Sequence, residues 1–373
     1  MLATDSKQSN LDQKSPNQWL NFLTTQHAKF DSNNQIKTFG QAELERFLIK
    51  NGPVLTSLSH QGLIKVSGSD AMIFLQGQLS TNIERVNESM AQFSSYCDPK
   101  GQVLALFLIF KYNGSFYLNF NQTLKESVFK RLSMFIMRSD VQLSDVSNEF
   151  IHIGFAGEFA DLDIQRRLNT KIKHEYETGI IDAEGMKDVC VIKVPGPYHK
   201  YDLFGPADQM EKVWTTLKSN AETTNTYDWN LLNIAAGIPD INTQTSAQFL
   251  AQFLNLDKIN AIDFKKGCFP GQEMIARVHY RGKVTKRMFR IRCEAVQELK
   301  PGKILFLIDS EGKSHKLTII LTNPGIHEGT LCLAVGTLKS LCSIEGALTT
   351  ESGHPAFIEP LPYSVIDAEQ NDS

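Results

Sequence analysis

The chain of 373 residues lacks long apolar runs, paired cysteines and a lopsided charge. Its longest uninterrupted apolar run, residues 103–110, suits a buried strand. It falls far short of the ~20 residues that cross a bilayer. Residues 1–18 are polar and hold no apolar leader, so a cytoplasmic protein with no membrane partner is expected. None of the six cysteines (Cys97, Cys190, Cys268, Cys293, Cys332, Cys342) forms a CxxC pair, which speaks against a disulfide framework or a structural zinc site. The nine histidines show no ligand spacing, and no metal site is assigned. Cys190 and Cys332 lie inside strand-like runs and read as small buried hydrophobes.

Composition is that of an ordinary globular protein, and the length suffices for two or three domains. The net charge of −3 hides one concentration: residues 265–292 hold nine Lys or Arg against a single acid, Glu273. Such a patch implies an anionic ligand, either nucleic acid or a polycarboxylate.

At the head of that patch stands Lys265-Lys266-Gly267-Cys268-Phe269-Pro270-Gly271-Gln272-Glu273. Pro270 suits a first helical turn, with Glu273 an early-turn carboxylate. Met274, Ile275 and Val278 give an apolar face, and Gly282 can end the helix in a left-handed turn. Cys268 thus precedes a helix N-terminus and lies two residues from an ammonium, both of which favour thiolate. Arg277 is spaced to pair with Glu273.

The pattern elsewhere reads as α+β. Residues 1–50 form an N-terminal extension, with 1–15 disordered and two helices following. Residues 51–147 make a first α+β module, starting with strand 63–67 and its helix. A turn at Asp98-Pro99-Lys100-Gly101 follows, then a hairpin at Asn113-Gly114 and a helix with Leu124, Val128, Leu132 and Phe135 inward. Residues 148–284 make a second module of similar order, which hints at duplication. From 285 to 365, short strands at 286–293, 302–308, 315–322, 330–336 and 355–358 read as an antiparallel barrel. Residues 366–373 are a polar tail.

Several further segments stand out: Val66-Ser67-Gly68-Ser69-Asp70 with Phe74-Leu75-Gln76-Gly77-Gln78, the Tyr96–Gly101 turn, Trp229 to Pro239, Phe253 to Asp257, Phe264 to Gly282, and Ile358-Glu359-Pro360-Leu361-Pro362-Tyr363. Together they resemble the YgfZ family, folate-binding proteins related to the T-protein (aminomethyltransferase) of the glycine cleavage system. The resemblance covers roughly residues 60–365, and the Lys-Gly-Cys core is its most specific part. It implies a T-protein-like fold: two ferredoxin-like α+β modules around a central channel, plus a C-terminal antiparallel β-barrel. It also implies binding of tetrahydrofolate or another folate, and service to iron–sulfur client enzymes such as tRNA-methylthiolating proteins.

Cys268 is the expected functional thiol, as nucleophile, transient cluster ligand or redox partner. Trp229, Gln61, Lys266, Gln272, Glu273 and Arg277 are the expected folate-binding residues. Gln61 stands where an aromatic would be expected, Asn82 where the family often has Asp, and Ala251 where it has Pro. The leading reading is a folate-binding accessory protein for assembly or repair of iron–sulfur enzymes, not a self-contained enzyme. One alternative is a folate-dependent aminomethyltransferase or demethylase, disfavoured because Gly101-Gln102-Val103-Leu104-Ala105 holds no acid. The other is an RNA-binding module that uses the patch at 265–292, including Arg287 and Arg290.

Overall fold

A computed structural model describes residues 18–32, 35–294, 299–324, 329–344 and 346–366. The expected disorder at 1–15 and all but the first residue of the polar tail lie outside these residues. The first module runs strand Gln61–Ser67, helix Ala71–Gln78, strands Gln92–Cys97, Val103–Tyr112 and Ser115–Asn121, helix Lys125–Ile136 and strand Gln142–Asp145. In space the strands lie 92–97, 103–112, 115–121, 61–67, 142–145, each antiparallel to its neighbour. Without its extra edge strand, 92–97, this is the ferredoxin-like βαββαβ arrangement. Asn113 and Gly114 both take positive φ in the turn, as a tight hairpin between twisted strands requires. Helix 125–136 buries Val128 and Leu132. Phe135, expected inward, is 42% exposed in the last turn, beneath the Arg131 guanidinium.

The second sheet is ordered Thr178–Ile180, Cys190–Val194, Lys200–Pro206, Phe150–Ala156, Val54–Ser57, Glu222–Thr223. It repeats the first module's plan with one insertion. Strand 54–57, which the sequence reading did not single out, lies between 150–156 and the short final strand. A module boundary at residue 51 is therefore corrected, because this strand belongs to the second sheet. The N-terminal helix 18–25 packs on the second module. Trp19 is buried, meets Trp214 edge-on with centroids 5.8 Å apart, and donates to Ser57 Oγ at 3.0 Å.

The two sheets pack face to face. Leu108, Phe110 and Tyr117 of the first meet Cys190, Ile192 and Phe204 of the second. Helices cover both outer faces. Strands Lys286–Cys293, Ile304–Ile308, Ser314–Pro324, Thr330–Thr337, Leu348–Thr350 and Pro355–Glu359 close into a barrel. Five of these six were expected; 348–350 is too short and too polar to stand out. Helix Thr226–Ala236 joins the parts. Its left-handed C-cap, Gly237, lies under Tyr363, whose hydroxyl donates to Gly237 O at 2.6 Å.

Strand 150–156 carries a glycine at 154 because a ring lies on it. A Cβ there would sit 2.4 Å from Trp229 Cζ2. Gly154→Ala is expected to cost about 1–3 kcal/mol of stability through overpacking. Urea unfolding checks this, and an unchanged midpoint would contradict the contact.

Candidate functional site

Between the two sheets lies a cavity. Leu106, Leu108, Asn119 and Phe120 come from the first module, His152, Val194, Lys200 and Asp202 from the second. Trp229, Asn233 and Asp240 close it from helix 226–236 and the turn after it, and His60 and Gln61 complete the wall. A second cavity, reaching Trp19 and Ser147, shares the walls Leu58, Gln61, Asn119 and His152.

The alternation of strand 200–206 sends Lys200 and Asp202 to the cavity and Tyr201 and Leu203 to the helix-covered core. Asp202 Oδ2 lies 3.5 Å from His152 Nε2. Asp202 Oδ1, His152 Nε2 and His60 Nδ1 are buried with no hydrogen-bond partner in the protein. Orphaned polar atoms on a cavity wall mark a place where a polar ligand completes the set. Desolvation pushes His60 down to about 3, with His152 adding to the effect. Desolvation likewise takes Lys200 down to about 8 and Asp240 up to about 6; Asn121 Nδ2 donates to Asp240 Oδ2 at 2.6 Å. His60, His152, Lys200, Asp202 and Asp240 escaped the sequence reading, since they come from four segments without a shared motif.

The expected site residues divide. Trp229 and Gln61 line the cavity. Trp229 is only 2% exposed, packed against Gly154, with the Lys200 ammonium 5.5 Å from its ring centroid. Cys268, Lys266, Gln272, Glu273 and Arg277 do not line it. Lys266, expected to greet a folate tail, is 8% exposed and donates to Gln76 O and Leu79 O, both at 2.5 Å. It caps helix 71–78, where a cation meets the free carbonyls and the negative end of the dipole. Burial lowers it to about 8. Gln272 Nε2 donates to Lys266 O at 3.3 Å, while Glu273 and Arg277 are exposed and make no ion pair with each other.

The helix begins at Gln272, so Pro270 lies outside it and Cys268 is four residues ahead of it. Gly271, at φ 84°, sets that start. A Cβ there would meet Asp98 O at 2.5 Å and Gly101 Cα at 2.7 Å. The 98–101 turn and the cysteine loop thus pack on each other backbone to backbone. Gly282, at φ −118°, leaves the helix extended, not left-handed. Cys268 is exposed, whereas Cys97 is buried and its thiol pushed up to about 12.

The basic patch is thinned, with Lys265, Arg277, Arg281, Lys283 and Lys286 still exposed. Arg287 is fully buried, donating to Asp257 Oδ1 at 2.6 Å and Gln252 O at 2.9 Å. Arg290 and Arg292 pair with Glu359 at 3.3 and 2.9 Å. This corrects the expectation that Arg287 and Arg290 present a polyanion-binding surface.

The cavity groups imply a pH dependence. Between about 6.5 and 3 the unfolded chain protonates His60 and the folded chain does not, so this contribution to stability is lost as pH falls through that window. Asp240 acts oppositely: folded, it holds a proton up to about 6 that the unfolded chain releases near 3.8, so its contribution grows as pH falls between those values. His60→Asn should flatten the stability–pH profile below 6.5, and Asp240→Asn should steepen it between 6 and 4. Denaturation at stepped pH reads both, and unchanged slopes would refute the assignments.

Comparison with known proteins agrees with this architecture. The GCVT N-terminal domain family matches residues 16–226, more than half of the chain. The protein named tRNA-modifying protein YgfZ of Klebsiella pneumoniae (strain 342) is 26% identical over 315 residues, covering 84% of this chain and 94% of the relative. Its namesake in Escherichia coli O7:K1 is 25% identical over 314 residues, at 83% and 93% coverage. The crystal structure of glycine cleavage system aminomethyltransferase T from Bartonella henselae superposes with a TM-score of 0.74, covering 92% of this chain and 96% of that one at 15% identity, a likeness of fold. The ferredoxin-like pair, the barrel and these matches together place the chain in the GCVT N-terminal domain family, among its YgfZ members.

Proposed function

We propose that this chain is a cytoplasmic, folate-binding accessory protein for the assembly or repair of iron–sulfur enzymes, including those that modify tRNA, and that it acts through Cys268. The observation that carries the reading is a separation. A cavity with orphaned polar atoms lies between the modules, while the thiol lies outside it and exposed. A self-contained catalyst needs its nucleophile at the bound ligand. An accessory protein can hold a ligand inside and offer a thiol outside.

The cavity suits a folate ring in its chemistry. Asp202 Oδ1 accepts ring N–H groups, the His60 and His152 nitrogens meet further polar edges, and Trp229 and Gln61 form the walls. A bound tetrahydrofolate supplies a reduced ring able to carry a one-carbon unit. On the outside, exposed Glu273 and Arg277 give a client protein two opposite charges beside the cysteine loop. The clients in view are iron–sulfur enzymes such as tRNA-methylthiolating proteins, and the cluster is their cargo.

A second reading, folate-dependent aminomethyl transfer, gains from Asp240 and Asp202. The absence of acid at 101–105 had counted against it, yet the cavity holds two carboxyls. One of them, Asp240, is raised towards neutrality, as a general acid or base requires. Turnover of an aminomethyl donor with tetrahydrofolate by the pure protein would favour this reading.

Cys268→Ser, expressed in cells lacking the native protein, is expected to lose an iron–sulfur-dependent tRNA modification while the purified variant binds tetrahydrofolate within about twofold of the parent. Full modification by the variant would refute the role of the thiol.

A further inference from the structure

Lys200 occupies an unusual position for a lysine. It is 5% exposed, its Nζ donates to Asn233 Oδ1, and its ammonium stands over the Trp229 ring, 5.5 Å from the centroid. Among the described residues that line the cavity it is the one Lys or Arg. Asp202, two residues on along the same strand, faces the same space with Oδ1 unpartnered. The wall therefore sets a fixed donor beside a fixed acceptor. Burial costs the ammonium much of its hydration, which a single amide oxygen and an aromatic face replace in part. A stronger acceptor entering the cavity would draw it off the ring and free the indole for stacking.

Resting on the folate reading above, we propose that Lys200 is the specificity-determining donor of this cavity: its ammonium moves from Trp229 and Asn233 to the ring carbonyl of a 4-oxo pteridine, while Asp202 takes the adjacent N–H groups. A 4-amino ring presents donors where the ammonium stands, and it protonates more readily, so it meets like charge and an unmatched hydrogen-bond pattern. Sites that hydrogen-bond one functional group discriminate sharply against its replacement, because the buried protein group is left unpaired. Lys200 thus selects the ring both by attraction and by exclusion.

Folic acid and its 4-amino analogue differ at that position alone and serve as a matched pair, titrated by Trp fluorescence and calorimetry. The unaltered chain is expected to prefer the 4-oxo ring by at least about tenfold. Lys200→Met, checked for folding by circular dichroism, should weaken the 4-oxo ligand by roughly tenfold and abolish the preference. Equal binding of the two ligands by the unaltered chain overturns the proposal and leaves the folate reading standing, and this needs no variant. A preference that survives Lys200→Met overturns it as well. No binding of either ligand at millimolar concentration overturns the folate reading and this proposal with it.

Discussion

The indole of Trp229 lies against the bare backbone of Gly154, and much of the molecule is arranged around that contact. It fixes helix 226–236 over the second sheet and makes the indole a wall of the central cavity. The next residue inward, Asp228, is fully buried and gathers Arg46 at 3.0 Å, Asn225 at 2.6 Å and Asn323 at 3.3 Å. One helical turn thus ties together the N-terminal helices, the second module and the barrel. Substituting either member of the Trp–Gly pair disturbs the cavity and the assembly of the three parts together.

What the sequence made legible was local. Strands, the Asn113-Gly114 turn, the barrel strands and the helix after the cysteine loop follow from periodicity and turn chemistry, which act over a few residues. What stayed hidden depended on distant partners. Lys266 and Arg287 look like surface cations in a basic run, and only the fold supplies the carbonyls and the carboxylate that bury them. Val54–Ser57 is four residues long and owes its place to strand 150–156. Gly271 was read as part of the helix start, and its reason is the 98–101 turn pressed against it.

The candidate site divides along the same line. The cysteine motif is contiguous and declares itself. The cavity draws its titratable groups from residues 60, 152, 200, 202 and 240, with nothing between them to read as a signature. Of the predicted ligand-binding set, Trp229 and Gln61 reach the cavity and the motif residues do not. A conspicuous motif and an inconspicuous pocket occupy different parts of one molecule.

The insertion of strand 54–57 into the second sheet has a consequence for synthesis. It pairs with strand 150–156, with Val54 opposite Ala156, across roughly 100 residues of chain. At about 5–20 residues per second, the strand waits about 5–20 s on the ribosome for its partner. The whole first module is made in the interval. That module can close its own sheet and is in effect an insert within the other, which begins before it and ends after it. The emerging chain thus holds an unpaired apolar strand until late in translation. Long-range pairing of this kind pays its loop-closure entropy before any reward, which slows folding and lengthens exposure to aggregation. An early-folding first module brings the two ends together and shortens that wait.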